Sequence, residues 1–192
     1  MGKNPHPRFT KPTPRDLYPL SPPLPTTTGT DLDRHGQTGA VFAGIHADLN
    51  LLTIHGASRF PGLFIWLRDG RRVPVKVPPG CLLIQAGRQL EHVTGGYIQA
   101  GFHEVVFTDE TQRAMDAARA EGRSTWRVSS TVFAHVASDR TLRVLGNFAN
   151  EEACMRYPDT LAGEQVSREL ESIALKKKEE GGVGADVRVA MG

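Results

Sequence analysis

Short apolar runs separated by turn-forming residues fill the chain from Val41 to Phe148. The turn signals are Asp69-Gly70, Pro78-Pro79-Gly80 and Gly95-Gly96, and the first of them predicts a hairpin. Many short strands joined by tight turns indicate a sandwich, a jelly roll or a barrel, and hence a mainly β fold. The predicted strands are Val41–Ile54, Gly62–Leu67, Arg72–Val77, Cys81–Ala86, Tyr97–Val106 and Trp126–Val136.

Helical patterns interrupt the strands once and then follow them. An inserted helix is predicted over 109–122, where Asp109 would cap it, Gln112 would complete a capping box and Gly122 would end it. After residue 148 a first helix is predicted to be capped around Asn150. Val166, Leu170 and Ile173 then recur at helical spacing and predict an apolar stripe that packs on the barrel, with Gly181-Gly182 ending that helix.

Proline is concentrated at the start of the chain, where residues 1–30 hold eight of the 13 prolines. Proline lacks an amide donor, so this segment is predicted to be neither a helix nor a central strand. We interpret 1–38 as a leader that is disordered or lies extended on the domain, and a PxxP ligand is the weaker alternative. The predicted divisions are then a barrel domain over 39–148, C-terminal helices over 149–182 and a flexible tail over 183–192.

Composition narrows the classes of function. A net charge of +2 with scattered basic residues gives no reason to expect a nucleic-acid partner. Two cysteines provide no disulfide framework, and Cys81, in an apolar run, is predicted to be a buried thiol. No segment has the length and apolarity of a membrane span or a signal peptide, so the expected location is the cytoplasm.

The triplet His46-Ala47-Asp48 lies in the first predicted strand. Side chains alternate along a strand, so His46 and Asp48 are expected on one face. An imidazole and a carboxylate on one face make up two thirds of the 2-His-1-carboxylate set that binds non-haem Fe(II). The triplet alone is a weak signal, since most such triplets are ordinary surface or core residues.

His103 is the best candidate for the third ligand. It lies in its own strand-like run, and the intervening strands could bring that run back beside the first in a rolled sheet. The other five histidines are predicted to be exposed, rim or structural residues: His6, His35, His55, His92 and His135.

Arg127 and Ser129 alternate on the last long strand and would therefore share a face. A guanidinium and a hydroxyl together form a good clamp for a carboxylate, although a surface pair is the simpler interpretation of this motif alone. Further side chains that could face the pocket are Thr53, His55, Arg59, Gln85 and Phe133, each with a structural role as the alternative.

Seven motifs follow one another from about Gly39 to Phe148: His46-Ala47-Asp48 with Leu51-Leu52-Thr53-Ile54, then Phe60-Pro61-Gly62-Leu63-Phe64-Ile65-Trp66, Asp69-Gly70 and Val73-Pro74-Val75, then Gly80-Cys81-Leu82-Leu83-Ile84-Gln85-Ala86-Gly87-Arg88-Gln89-Leu90-Glu91 with Thr94-Gly95-Gly96, and last His103-Glu104-Val105 and Arg127-Val128-Ser129. In type and order they resemble the catalytic domain of Fe(II)/2-oxoglutarate-dependent dioxygenases of the isopenicillin N synthase-like group.

The resemblance implies a double-stranded β-helix, or jelly-roll barrel. It also implies that His46, Asp48 and His103 bind Fe(II), and that Arg127 and Ser129 hold the far carboxylate of 2-oxoglutarate. The implied activity is oxidation of a C–H bond in a small organic substrate by O2, with release of succinate and CO2. In this sequence Glu104 and Arg88 stand where the family usually has Arg and Asp.

The short region before the metal-binding motif leaves other possibilities open. Family members usually carry a substantial N-terminal region there, so the barrel could have an open sheet edge through which chains associate. The alternatives to an oxygenase are a truncated, non-catalytic barrel remnant that binds a metal, a ligand or a partner, and a cupin-like enzyme that uses the triad without 2-oxoglutarate.

Overall fold

A computed structural model describes residues 24–179 of the chain, with side chains from 28 to 172. Two antiparallel four-stranded sheets, in the orders β1-β8-β3-β6 and β2-β7-β4-β5, face each other. The chain passes repeatedly between them, which winds it into a double-stranded β-helix and confirms the predicted jelly roll. The strands are β1 Leu24–Asp31, β2 Val41–Ala47, β3 Leu52–His55, β4 Leu63–Trp66, β5 Arg72–Pro74, β6 Leu83–Ala86, β7 Phe102–Val106 and β8 Trp126–Ala134, with a separate pair of β9 Thr141–Leu142 and β10 Thr160–Leu161.

The helices are α1 Leu32–His35, α2 Arg88–Val93, α3 Asp109–Ala120, α4 Glu151–Arg156 and α5 Ala162–Glu179. The predicted inserted helix is confirmed as α3, but the predicted cap is wrong. Thr108, not Asp109, caps it, and Thr111 rather than Gln112 closes the capping box, because the two threonine hydroxyls each accept the other residue's amide. Asn150 caps α4 as predicted.

The prediction of one strand over Val41–Ile54 is wrong, because the chain changes sheets in the middle of that run. β2 ends at Ala47 and pairs with β7, whereas β3 begins at Leu52 and pairs with β6 and β8 in the other sheet. The crossing, Asp48-Leu49-Asn50-Leu51, continues the alternation of polar and apolar residues, so the sequence pattern does not mark it. Strand ends also differ elsewhere: β7 begins at Phe102 rather than Tyr97, and β8 ends at Ala134.

Part of the proline-rich segment forms the edge strand β1. Its eight residues pair with β8 in continuous register, from Leu24 opposite Phe133 to Asp31 opposite Trp126. Proline is tolerated at an edge, and the three threonines 26–28 favour extended backbone. The predicted divisions at 38, 148 and 182 stay predictions, and the predicted tail at 183–192 lies outside the described residues.

Two clusters of buried side chains hold the helices against the barrel. Leu32, Phe60, Phe107, Met115 and Ala118 form the first beneath α1 and α3, and Val93, Val136, Leu142 and Ala162 form the second beneath α5. Of the stripe predicted for α5, Val166 is half-buried and Leu170 is exposed, and the side chain of Ile173 lies outside the described residues. Leu170 is 39% exposed and Gln165 is buried, because the helix turns its first residues toward the barrel.

The predicted burial of Cys81 is wrong. Cys81 and Cys154 are both exposed free thiols. Cys81 lies in the turn before β6, where its amide donates to the Pro78 carbonyl, so the apolar run that contains it begins before the strand does. Among the described residues, no helix combines the length and the apolarity that crossing a membrane requires.

Gly87 allows the N-terminus of α2 to approach the loop between β2 and β3. A Cβ at Gly87 would lie 2.1 Å from the Asn50 backbone oxygen, far inside contact distance. We expect Gly87→Ala to lower the free energy of unfolding by about 1–3 kcal/mol, as overpacking does. Urea denaturation measures this. Gly146→Ala is the matched control, since nothing lies within 4 Å of its Cβ, and equal stability of the two variants would contradict the expectation.

Candidate metal centre

The structure brings together His46, Asp48 and His103, the three residues that the sequence singled out. His46 and His103 are directly paired across β2 and β7, and Asp48 follows β2 by one residue. The Nε2 atoms of His46 and His103 lie 3.7 and 3.8 Å from Asp48 Oδ1. One ligand atom from each residue lies within 4.8 Å of the others, which is close enough for all three to bind one ion.

The three side chains differ in exposure. Asp48 and His103 are buried, at 8% and 5% side-chain exposure, whereas the His46 side chain is 42% exposed. The group is therefore shielded from solvent on the side of Asp48 and His103 and exposed to solvent on the side of His46. An open side of this kind is what a metal site needs when further ligands must reach the ion.

Asp48 is fixed by the loop that carries the chain from one sheet to the other. Its Oδ2 accepts a hydrogen bond of 2.5 Å from the Thr53 hydroxyl, and the buried Asn50 amide donates to Thr53 in turn. The amides of Arg88 and Gln89, at the start of α2, donate to the carbonyls of Asp48 and Asn50. Amides in the first turn of a helix have no acceptor within the helix. The loop carbonyls supply that acceptor for α2, and the helix amides supply donors for the loop.

His46 is held in the tautomer that metal ligation requires. Its Nδ1–H donates to the Gly44 carbonyl at 2.7 Å, which leaves the lone pair on Nε2, the atom that faces Asp48.

His103 is supported by the buried side chain of Gln85. The Gln85 Nε2 lies 2.9 Å from the Gly101 carbonyl and 2.6 Å from His103 Nδ1, and Gln85 Oε1 has no partner. With this orientation the His103 proton sits on Nε2. The Gly101 carbonyl lies 3.5 Å from His103 Nδ1 and would accept from the other tautomer, in which Nδ1 carries the proton and Nε2 is free for a metal.

Burial lowers the pKa of His103, and the neighbouring His46 lowers it further, while Asp48 acts in the opposite direction. Desolvation penalises the charged imidazolium. His103 is therefore neutral at physiological pH, and a neutral imidazole is the form that binds metal ions.

The other histidines within the described residues take no part in this group. His35 is exposed, as predicted, and His6 lies outside the described residues. His92 is buried against Tyr157, and burial lowers its pKa. His135 is half-buried, and burial lowers its pKa as well. His55 lies closer, with its ring centroid 6.0 Å from that of His103, and burial lowers its pKa against the opposing effect of Asp48.

Arg127 and Ser129 share a face of β8, as the alternation predicted. Arg127 is 9% exposed, and its Nη1 donates to the Ser129 hydroxyl at 2.8 Å. Its Nε is buried without a partner, and within residues 28–172 no carboxylate forms an ion pair with it. Burial lowers the pKa of its guanidinium. A buried cation without a counter-ion is costly, so the arrangement suits an anionic ligand.

A cavity of about 660 Å³ joins the histidine–aspartate group to Arg127 and Ser129. Its walls include Phe42, Phe60, Leu63, Val105 and Phe133, and its rim carries Arg59 and the ion pair of Lys76 with Glu110. Of the side chains predicted to face the pocket, His55, Arg59 and Phe133 line the cavity. Thr53 and Gln85 are buried instead and support Asp48 and His103.

Two features of the site were not predicted from the sequence: the contribution of β1 to the cavity and the ion pair made by Glu104. Thr28 and Thr30 of β1 line the cavity beside Arg127 and Ser129, and the run of threonines was their only local signal. Glu104, the unusual residue after His103, is buried and forms an ion pair with Arg72 on the neighbouring hairpin, 2.5 Å from its Nε. Glu104 therefore braces the sheet behind the site.

Thr53→Val removes the hydroxyl that orients Asp48 and keeps the shape of the side chain. We expect the variant to bind Fe(II) about tenfold to a hundredfold more weakly, the usual effect of losing a group that orients a metal ligand. Anaerobic Fe(II) titration measures the change. The exposed Thr141 on β9 gives a matched Thr→Val control, and equal iron affinity in both variants would show that Thr53 does not orient the ligand.

Comparisons with known proteins point in one direction. The chain is 34% identical over 70 residues to an alpha-ketoglutarate dependent kainoid synthase of Digenea simplex, a match that spans 34% of this chain and 19% of the relative. A 2OG-Fe(II) oxygenase family protein of Caulobacter crescentus is 34% identical, with a TM-score of 0.55, over 68% of this chain and 40% of the other. The dioxygenase for auxin oxidation of rice shares the fold, with 19% identity and a TM-score of 0.63, over 79% of this chain and 47% of its own.

The chain thus spans less than half the length of each of these relatives. The model of the 2OG-Fe(II) oxygenase superfamily matches residues 29–136, which is more than half of the chain and includes the histidine–aspartate group, Arg127 and Ser129. Fe(II) and 2-oxoglutarate, the cofactors expected from the sequence, are those of this family. The chain belongs to the 2OG-Fe(II) oxygenase superfamily.

Proposed function

We propose that the protein is an Fe(II)/2-oxoglutarate-dependent oxygenase that oxidises a C–H bond of a small organic substrate with O2 and releases succinate and CO2. The observation that carries the proposal is the buried guanidinium of Arg127, for which residues 28–172 provide no counter-ion, in the same cavity as two histidines and an aspartate. A protein that bound only a metal would have no use for this cation.

The proposed roles follow from the positions of the side chains. His46, Asp48 and His103 would hold Fe(II) on one side, because their ligand atoms converge and two of the three residues are buried. Arg127 and Ser129 would bind the far carboxylate of 2-oxoglutarate through charge-assisted hydrogen bonds. The bound iron and 2-oxoglutarate would supply the activation of O2.

The protein's own contribution is placement and shielding. Thr53 and Gln85 fix the orientation of two ligands, and Gly44 fixes the tautomer of the third. Phe42, Phe60 and other apolar side chains of the cavity would keep water away from the reacting centre. The exposed side of His46 leaves a path by which a substrate could approach.

A non-catalytic barrel remnant is less well supported. Within the described residues the two main sheets hold four strands each, and residues 24–31 supply one of these strands. A remnant would also have no reason to retain an unpaired buried arginine. A cupin-like enzyme that does not use 2-oxoglutarate would leave the same arginine unexplained.

Three narrower assignments belong to this proposal. We place the chain in the isopenicillin N synthase-like group, on the order of the motifs around His46 and Arg127. We place it in the cytoplasm, in line with two exposed thiols that are not joined.

We also infer that chains can associate through the edge of β2, where Val41 and Ile45 are more than half exposed. Sedimentation velocity of Val41→Lys, with Met155→Lys on α4 as the control, tests this association.

Anaerobic titration with Fe(II) and then with 2-oxoglutarate tests the proposed function. The weak visible metal-to-ligand charge-transfer band should appear only after both have been added, since it requires the 2-oxo acid to chelate the iron. Oxygen consumption coupled to succinate formation is the second measurement. A folded protein that binds iron but gives no band with 2-oxoglutarate would contradict the proposal.

Alanine variants separate the two halves of the site. His46→Ala, Asp48→Ala and His103→Ala should each lose stoichiometric iron, because two remaining ligands make a poor site, whereas the exposed His35→Ala should retain it. If one of the three variants keeps full iron occupancy, the residue replaced in that variant is not a metal ligand.

Arg127→Ala should bind Fe(II) normally and 2-oxoglutarate about tenfold to a hundredfold more weakly, because it loses hydrogen bonds to a charged group. Arg140→Ala, at an exposed arginine paired with Asp139, is the matched control. An unchanged affinity for 2-oxoglutarate in Arg127→Ala would remove this residue from the clamp.

A further inference from the structure

His55 has a ring nitrogen that the structure leaves without a partner. Within the described part of the chain, its Nε2 is buried and makes no hydrogen bond, and its Nδ1 makes only a long contact of 3.4 Å with the Thr131 hydroxyl. A neutral imidazole carries one donor and one acceptor, and a buried polar atom left unpaired is unfavourable. The ring is therefore arranged for a partner that residues 28–172 do not supply.

Strand register places His55 on the inner face of the barrel. His55 and Thr53 alternate on β3, and Thr53 points inward to Asp48. His55 is directly opposite Thr131 on β8, so Ser129 is its diagonal neighbour on the same face. The residue lines the 660 Å³ cavity together with Arg127 and Ser129.

The His55 ring lies between the histidine–aspartate group and the pair of Arg127 and Ser129. On one side its centroid is 6.0 Å from that of His103, edge to face. On the other side Thr131 and Ser129 lead along β8 to the guanidinium of Arg127, which reaches back to the Ser129 hydroxyl. When the Thr131 hydroxyl donates to Nδ1, the proton of the ring sits on Nε2 and makes it a hydrogen-bond donor.

We propose that His55 is a third member of the clamp: its Nε2–H donates to the far carboxylate of 2-oxoglutarate, beside Arg127 and Ser129. This inference rests on the proposed function. It assigns the partner missing from His55 to the same anion that the unpaired guanidinium of Arg127 requires. A carboxylate offers about four acceptor sites, enough for all three donors.

The test compares His55→Leu with His55→Gln in the full chain. Leucine removes the donor and keeps an apolar side chain of similar size, whereas glutamine carries an amide near the position of Nε2. We expect His55→Leu to bind 2-oxoglutarate about tenfold to a hundredfold more weakly, with unchanged Fe(II) affinity, and His55→Gln to recover most of the loss. Anaerobic titration of the charge-transfer band gives both affinities, and thermal shift with and without 2-oxoglutarate gives an independent measure of binding.

His135→Leu is the matched control, because His135 is also half-buried but does not line the cavity. Equal affinity for 2-oxoglutarate in His55→Leu and wild type would overturn the assignment, as would a loss of iron in His55→Leu, which would make His55 a metal-site residue. If wild type itself shows no band with 2-oxoglutarate, the proposed function fails, and this outcome is distinct from the previous two.

The double variant His55→Leu/Ser129→Ala tests whether both residues bind the same carboxylate. Replacing two side chains that bind the same carboxylate changes the affinity in a non-additive way. We expect the double variant to lose less affinity than the product of the two single losses. A loss equal to that product would mean that His55 binds elsewhere on the co-substrate and would overturn its place in the clamp.

Discussion

The crossing of the chain from one sheet to the other, between Ala47 and Leu52, is the constraint on which the rest of the site depends. Asp48 lies in this crossing, buried, with its carboxylate held by Thr53 and its carbonyl held by the first turn of α2. The carbonyls of Asp48 and Asn50 accept hydrogen bonds from the first amides of α2, and the Leu51 amide at the end of the loop donates to Ala134 of β8. These bonds fix the loop while the Asp48 carboxylate faces His46 and His103. A regular strand through Asp48 would have kept all three residues in one sheet and lost this support.

The chemistry of the site could be predicted from the sequence, but its supporting contacts could not. His46, Asp48, His103, Arg127 and Ser129 were found because their residue types and alternation match a known pattern, and the structure brings each group together. Gln85 and Thr53 were expected to face a pocket, yet they contact His103 and Asp48 from behind. Gln85 meets a residue of another strand and Thr53 meets one in the crossing loop, whereas alternation along one strand gives only the face on which a side chain lies.

The predicted ends of strands and helices were wrong for a different reason. The sheet change within Val41–Ile54, the turn position of Cys81 and the cap at Thr108 all depend on which backbone amides find partners. Hydropathy does not report this. The fold class itself was predictable, because turn signals and the number of short strands restrict the possible architectures more strongly than the position of any one boundary does.

The pairing of β1 with β8 has a consequence for how the molecule folds. It joins residues about a hundred positions apart along the chain, so its loop-closure entropy must be met before the contacts form. Because β8 carries Arg127 and Ser129 and β1 covers its outer edge, this side of the cavity is completed only when the long-range pairing closes. During synthesis, a nascent chain can therefore assemble its hairpins early and acquires this part of the cavity last.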